Sequence, residues 1–133
     1  GDVDKRQGDL VAKGRTFCSG ILCHGNHDPI HRDRTIKWIG AFAVCVMEFL
    51  RGIKTLNPDL FAGVLSKDEV LKLEASRHPP LYAIDKIRLN AKEVFRVDAD
   101  TPLSLAHAWT QHLDTLEKQL NVMMDCCGGM ERI

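Results

Sequence analysis

The chain has 133 residues, of which 44% are hydrophobic and 27% charged, proportions that are ordinary for a folded globular protein. Its 18 basic and 18 acidic residues balance, so no overall electric field would draw it to nucleic acid or to an anionic membrane surface. The longest apolar run without a charge covers residues 38–47, whereas a bilayer-spanning helix takes about 20 residues. We therefore expect one domain over residues 1–133 that is soluble as given and does not bind nucleic acid.

The apolar periodicity predicts an all-α fold of about five helices, and no segment shows the alternation of a strand. Residues 2–23 have a helical pattern that three glycines weaken, and the sequence CHGNHDPIHRD after it predicts a loop. Residues 34–53 are apolar on nearly all sides, which is typical of a helix buried in the core or between protomers. Ser66 and Glu69 match a capping box that opens a short helix to about Ala75. A fourth helix is predicted over residues 81–95.

The last predicted helix is the longest and has the clearest pattern. Thr101 is a candidate N-cap with Pro102 at the first helical position, and Gly128 with Gly129 would end the helix. Its apolar positions are spaced by alternating steps of four and three, which is the pattern of helices packed at a shallow angle in a bundle or an oligomer. These positions, called the α5 seam below, are Trp109, Leu113, Leu116, Leu120, Met123 and Cys127.

One loop concentrates side chains that could bind a metal. The candidate ligands are His24, His27, His31 and Asp33, with Cys23 and Asp28 beside them. A zinc or iron site needs three or four ligands that converge, and Gly25 and Pro29 disfavour a helix that would align the histidines. A polar loop with its imidazoles in water is therefore the favoured interpretation, and we expect no metal or other cofactor. His107 and His112, off the α5 seam, are expected to be solvated.

Catalytic motifs are also missing from the sequence. It contains no G-x-S-x-G, no P-loop and no G-x-G-x-x-G, and no pair of carboxylates stands out as an acid and a base. Cys126 and Cys127 are adjacent, which is a poor redox arrangement, so they are interpreted as packing residues. We expect that the protein is not an enzyme.

Several segments, in order along the chain, resemble one family. IKWIGAFAVCVMEFLRG, with Trp38, resembles the I-R-W-x-x-A-F helix of the bestrophin anion channels. HPPLYAIDKI, with His78, Pro79, Pro80 and Tyr82, resembles their R/H-P-P-x-Y-A-L segment. The closing CGGMERI is similar to the family's G-G-C-E-R-I at the end of a long helix, and the matching positions are Gly128, Gly129, Glu131 and Arg132.

The resemblance implies that the chain is the helical part of a membrane channel that lies on the cytosolic (or stromal) side, between two pairs of membrane helices. Such a part would belong to a homopentamer that conducts chloride or other small anions, and it would self-associate but not conduct by itself. In the family an apolar residue near the start of the long helix narrows the ion pathway. Leu103 or Leu105 is the candidate here.

Two alternatives remain open at the level of sequence. The chain could be an independent all-α interaction module that presents the α5 seam, from Trp109 to Cys127, to a helix of a partner protein. It could also be a small metal-dependent helical enzyme, which would rest on the His24 to Asp33 cluster alone.

Overall fold

A computed structural model describes residues 2–53 and 55–127. It contains five α-helices, which are α1 (Asp2–His24), α2 (Pro29–Leu50), α3 (Lys67–Ala75), α4 (Pro79–Val94) and α5 (Leu103–Cys127). One turn of 3₁₀ helix, Pro58–Phe61, lies between α2 and α3, and no strand occurs in the part of the chain described. The predicted all-α fold with a long last helix is therefore confirmed. In the same residues no helix is long and apolar enough to cross a membrane.

Helix α2 is the centre of the packing. Its most extensive contact is with α4, while α1 packs against both α2 and α5, and α5 also contacts α4. These contacts enclose one continuous hydrophobic core. Its largest fully buried side chains include Phe17, Phe42, Phe61, Phe95, Ile84, Ile87 and Leu120. Each of the five α-helices therefore contributes a large buried side chain to a shared core, and Leu73 is that of α3.

Side-chain caps decide where three of the helices begin. Asp28 accepts a hydrogen bond from the backbone N–H of His31 at 3.1 Å, and Pro29 follows at the first helical position. Helix α2 thus begins at Pro29, earlier than residue 34, and the predicted loop shrinks to residues 25–28. Ser66 and Glu69 form both hydrogen bonds of the predicted capping box, which is confirmed. Helix α4 begins at Pro79, two residues before the predicted start.

The predicted N-cap of α5 is wrong. The hydroxyl of Thr101 donates to Oδ1 of Asp98 and accepts from the Asp98 backbone N–H, each at 3.1 Å. It therefore closes the turn before α5 instead of capping the helix. The first backbone bond of the helical type runs from the N–H of Ala106 to the carbonyl of Pro102 at 2.8 Å, and α5 begins at Leu103. The predicted stop at Gly128 and Gly129 lies outside the described residues.

The α5 seam is covered within the chain. Its last four positions, Leu116, Leu120, Met123 and Cys127, are buried, and Trp109 and Leu113 are half-buried against the same core. Helices α1 and α4 supply the surfaces that cover them. The hypothesis of an interaction module that offers this seam to a partner is therefore wrong, because the apolar area is already removed from water.

Candidate functional site

The positions that carry the family resemblance in the middle of the chain meet where α2 packs on α4. Trp38 is only 4% exposed, and the edge of one ring faces the other between Trp38 and Tyr82, with centroids 5.9 Å apart and an interplanar angle of 63°. Nζ of Lys86 lies 5.4 Å from the centre of the Tyr82 ring, within the range of a cation–π contact. This arrangement joins two helices and leaves no reactive group free at a cleft.

The His-Pro-Pro sequence begins α4. Nδ1 of His78 accepts a hydrogen bond from the backbone N–H of Leu81 at 3.4 Å, so the neutral ring has its proton on Nε2. That ring stacks nearly parallel to Phe49, with centroids 5.9 Å apart, and both prolines are buried. The histidine is thus a cap and a packing residue, which is a structural role.

Ion pairs connect the neighbouring helices. Nε of Arg88 on α4 donates to Oε2 of Glu117 on α5 at 3.1 Å. Nζ of Lys37 on α2 lies 2.8 Å from Oε2 of Glu69 at the start of α3. Burial by itself would raise the pKa of Glu69, but the hydrogen bonds from Lys37 and from the backbone of Ser66 outweigh it and hold the pKa below 4.5. These pairs link α4 to α5 and α2 to the start of α3.

The candidate metal ligands do not converge. His24 ends α1, His27 is in the loop, and His31 and Asp33 are on α2. Nε2 of His27 donates to the carbonyl of Val94 at 2.6 Å, and the exposed carboxylate of Asp33 binds Nε of Arg32 at 3.0 Å. Among the residues that the structure describes, no three His, Cys, Asp or Glu side chains are placed to hold a metal ion. The metal-dependent enzyme has no support here.

The His31 ring completes the cap of α2. Nδ1 of His31 lies 2.9 Å from Oδ2 of Asp28, in addition to the backbone bond to the same carboxylate. Burial would raise the pKa of Asp28, but the backbone N–H and the ring of His31 outweigh it, and the pKa lies below 3.8. The carboxylate therefore stays charged, and the positive end of the helix favours a negative charge there.

His24 and His27 are exposed, as expected for imidazoles that face water, but each ring also stacks on a ring of α5. The His27 ring stacks on Trp109, with centroids 4.3 Å apart, and the His24 ring stacks on His112 at 3.9 Å. Phe95 contacts His112 from a third side, at 5.6 Å. His112 is accordingly half-buried and not solvated as predicted. Sequence reasoning missed this cluster because its members come from three separate segments with no shared motif.

The two candidate constriction residues lie on different sides of α5. A helix turns about 100° per residue, so positions two apart are about 200° apart. Leu105 precedes Trp109 and His112 on the side that faces α1 and the loop, and it is 44% exposed. Leu103 is 75% exposed and lies on the opposite side. That outward side continues through residues that are all exposed, namely His107, Thr110, Asp114, Lys118 and Asn121.

Comparison with known proteins identifies the chain. The family model described as Bacterial/Fungal Bestrophin protein matches residues 4–133. The chain is a member of the bestrophin family. No curated protein and no solved structure matches it significantly. Within this bestrophin chain, Trp38 and the segment around Tyr82 therefore act as structural contacts between α2 and α4. Gly128, Gly129, Glu131 and Arg132 lie outside the described residues, so their roles stay predictions.

The bestrophin chain also has an apolar groove between α1 and α2. It encloses about 300 Å³, and its lining includes the small residues Gly14, Gly40 and Ala43. The remaining lining includes Leu10, Cys18, Ile36 and Met47. Because small residues let another element approach closely, the groove has the shape of a packing surface. From Thr35 to Leu50 the α2 helix is thus buried on one side and half-buried on the other.

Proposed function

We propose that this chain is part of a bestrophin-type channel and forms the helical wall of its anion pathway on the cytosolic (or stromal) side of the membrane. Chloride or another small anion would pass along this wall, and the chain would not conduct by itself. Membership of the bestrophin family is the observation that carries the proposal. Passive conduction requires a shaped and partly apolar passage but no nucleophile, acid or base, and we propose no catalytic activity.

The outward side of α5 supports a place for this helix along the pathway. It begins with Leu103, which is 75% exposed, and continues with polar and charged side chains such as Thr110 and Asp114. An apolar ring narrows a passage by disfavouring water, while polar side chains keep the wider part wet. We therefore propose Leu103 as the constriction. Leu105 is disfavoured since it lies on the side of α5 that faces the rest of the chain.

Replacing Leu103 with alanine in the full-length channel is expected to raise the anion flux several-fold, because a smaller apolar ring is easier to hydrate. The flux is measured in liposomes that contain the purified channel. Leu71→Ala is the matched control, since Leu71 on α3 is 69% exposed and away from α5. An unchanged flux in Leu103→Ala with an increased flux in Leu105→Ala would move the constriction to the other leucine. No change in either variant would contradict a constriction at this end of α5.

The proposal also makes a claim about the complete gene product. The source transcript should encode apolar spans of about 20 residues on both sides of this segment. A transcript that encodes no such span would contradict the channel, and the family membership would then describe only the fold of the chain.

Self-association follows from the same proposal, with a second copy of the chain as the occupant of the α1–α2 groove. Ala43→Arg would place a charge in the apolar groove, so we expect the variant to be monomeric at concentrations at which the parent associates. Light scattering with sedimentation velocity measures this. Ala75→Arg is the control, because Ala75 is exposed at the end of α3. A parent protein that stays monomeric at high concentration would contradict the claim.

A further inference from the structure

The first half of α5 is attached to the rest of the molecule by half-buried side chains, several of them stacked rings, and not by fully buried ones. No side chain from Leu103 to Thr115 is fully buried, whereas Leu116, Leu120, Met123 and Cys127 all are. The attachments of this first half include two stacked ring pairs, His27 on Trp109 and His24 on His112. A change in either pair would therefore act on the start of α5 before it affects the core.

Only one of these two pairs is weakened by a proton. Nε2 of His27 donates to the carbonyl of Val94 at 2.6 Å, and an imidazolium ring can donate equally well. His24 and His112, in contrast, lie face to face with centroids 3.9 Å apart and an angle of 16° between the rings. Two positive rings at that distance repel each other. The His24–His112 pair holds best when both rings are neutral.

The surroundings of the pair offer no compensating charge. The cleft around the two rings is lined by Thr16, Gly20, Phe95, Thr115, Leu116 and Gln119, which include no carboxylate, lysine or arginine. Charged groups of the neighbouring elements lie around two other clefts. The cleft next to His27 and Trp109 has Asp28, Glu93, Arg96, Asp98 and Asp100. The cleft on the far side of Phe95 has Lys92 from α4 and Asp114 and Glu117 from α5. A proton on the pair therefore has no partner in its own cleft.

We propose that the stacked rings of His24 and His112 form a proton-sensitive latch that fastens the first half of α5 to α1 at neutral pH and releases it in mild acid. The latch does not depend on the proposed channel function. If that function is correct, the released segment is the one that carries Leu103.

The direction of the pH dependence follows from the burial of His112. Burial and the charge of a protonated His24 lower the pKa of His112 below its ordinary value of 6.5. The open state, in which the ring is solvated, thus binds more protons than the latched state. The latched state is favoured above about pH 6.5 and loses its advantage as the pH falls through that value and below.

Hydrogen exchange of the purified protein, read by mass spectrometry and corrected for the intrinsic rate at each pH, tests the latch. Protection of the amides from Leu103 to Leu116 is expected to fall about tenfold between about pH 7.5 and pH 5. Protection in the middle of α2 and α4 should stay constant. The first turn of α4 is read separately, because the His78 ring accepts a backbone hydrogen bond there. A loss of amide protection that is confined to α4, or an equal loss in every helix, would overturn the proposed latch.

Variants separate titration from simple loss of packing. His112→Phe retains a flat ring that cannot bind a proton, so its α5 protection should be independent of pH in this range. His24→Phe should behave in the same way, and it tests the latch even if His112→Phe does not fold, because His24 is on the exposed end of α1. His107→Phe is the matched control, since His107 is exposed on the same helix, and it should keep the pH-dependent drop. A drop that persists in His24→Phe would overturn the proposal.

Discussion

Trp38→Ala is expected to lower the free energy of unfolding by about 3–5 kcal/mol, the usual range for removing a large aromatic side chain from a core. Trp38 is 4% exposed and packs edge-on against Tyr82, at the most extensive helix contact of the molecule. Since a domain of this size is stable by only about 5–15 kcal/mol in total, the variant should be close to unfolding at room temperature.

Urea denaturation followed by far-ultraviolet circular dichroism measures this loss. Trp38→Phe should retain most of the stability, because it keeps an aromatic ring at the contact. Trp109→Ala is the comparison at a half-buried position, and it should lower the free energy of unfolding by clearly less than Trp38→Ala does. Equal losses in the two alanine variants would mean that the contact between α2 and α4 is not the main support of the fold.

Gly25→Ala should destabilise the protein by about 1–3 kcal/mol, as overpacking does. A Cβ at this position would lie 2.6 Å from the backbone oxygen of Ile21 and 3.3 Å from Cγ1 of Val94. The Ile21 oxygen cannot move aside easily, because it accepts the hydrogen bond from the Gly25 N–H at 2.8 Å that ends α1. The loop between α1 and α2 must therefore shift, and it would carry His24 and His27 away from their stacked partners on α5.

Gly8→Ala is the matched control for Gly25→Ala, and it should change the free energy of unfolding in the opposite direction. Gly8 lies in α1, and a Cβ there would meet nothing within 4 Å. Alanine in an open helical position is expected to add about 0.5–1 kcal/mol to the free energy of unfolding. Both predictions are checked by comparing the thermal unfolding of each variant with that of the parent protein. Stabilisation by Gly25→Ala would show that the loop is free to adjust, contrary to the close contact.

The features that sequence predicts correctly here depend on neighbours along the chain. The capping box at Ser66 and Glu69 is made by groups three residues apart, so its hydrogen bonds need no tertiary contact. The all-α fold follows from apolar periodicity in the same way, and the long last helix was recognised from the spacing of its seam. The opposite orientation of Leu103 and Leu105 follows from helix geometry alone, although both were predicted as alternatives for one role.

The errors arise where the same sequence pattern fits two different arrangements. Thr101 was predicted to cap α5, but Asp98 offers its hydroxyl a nearer partner. The apolar pattern of the α5 seam is equally consistent with packing against a partner protein and with packing against other helices of the same chain. The structure shows the second arrangement, because α1 and α4 pack on α5.

By itself the sequence determined the helices, the capping box of α3 and the membership of the bestrophin family, because periodicity, short-range hydrogen bonds and motif order are properties of the linear chain. Only the tertiary structure decided that His24 and His112 stack, that His27 lies on Trp109, and that the first half of α5 has no fully buried side chain. The reason is physical: stacking depends on where separate helices end in space, and the packing of side chains far apart in the chain sets those positions.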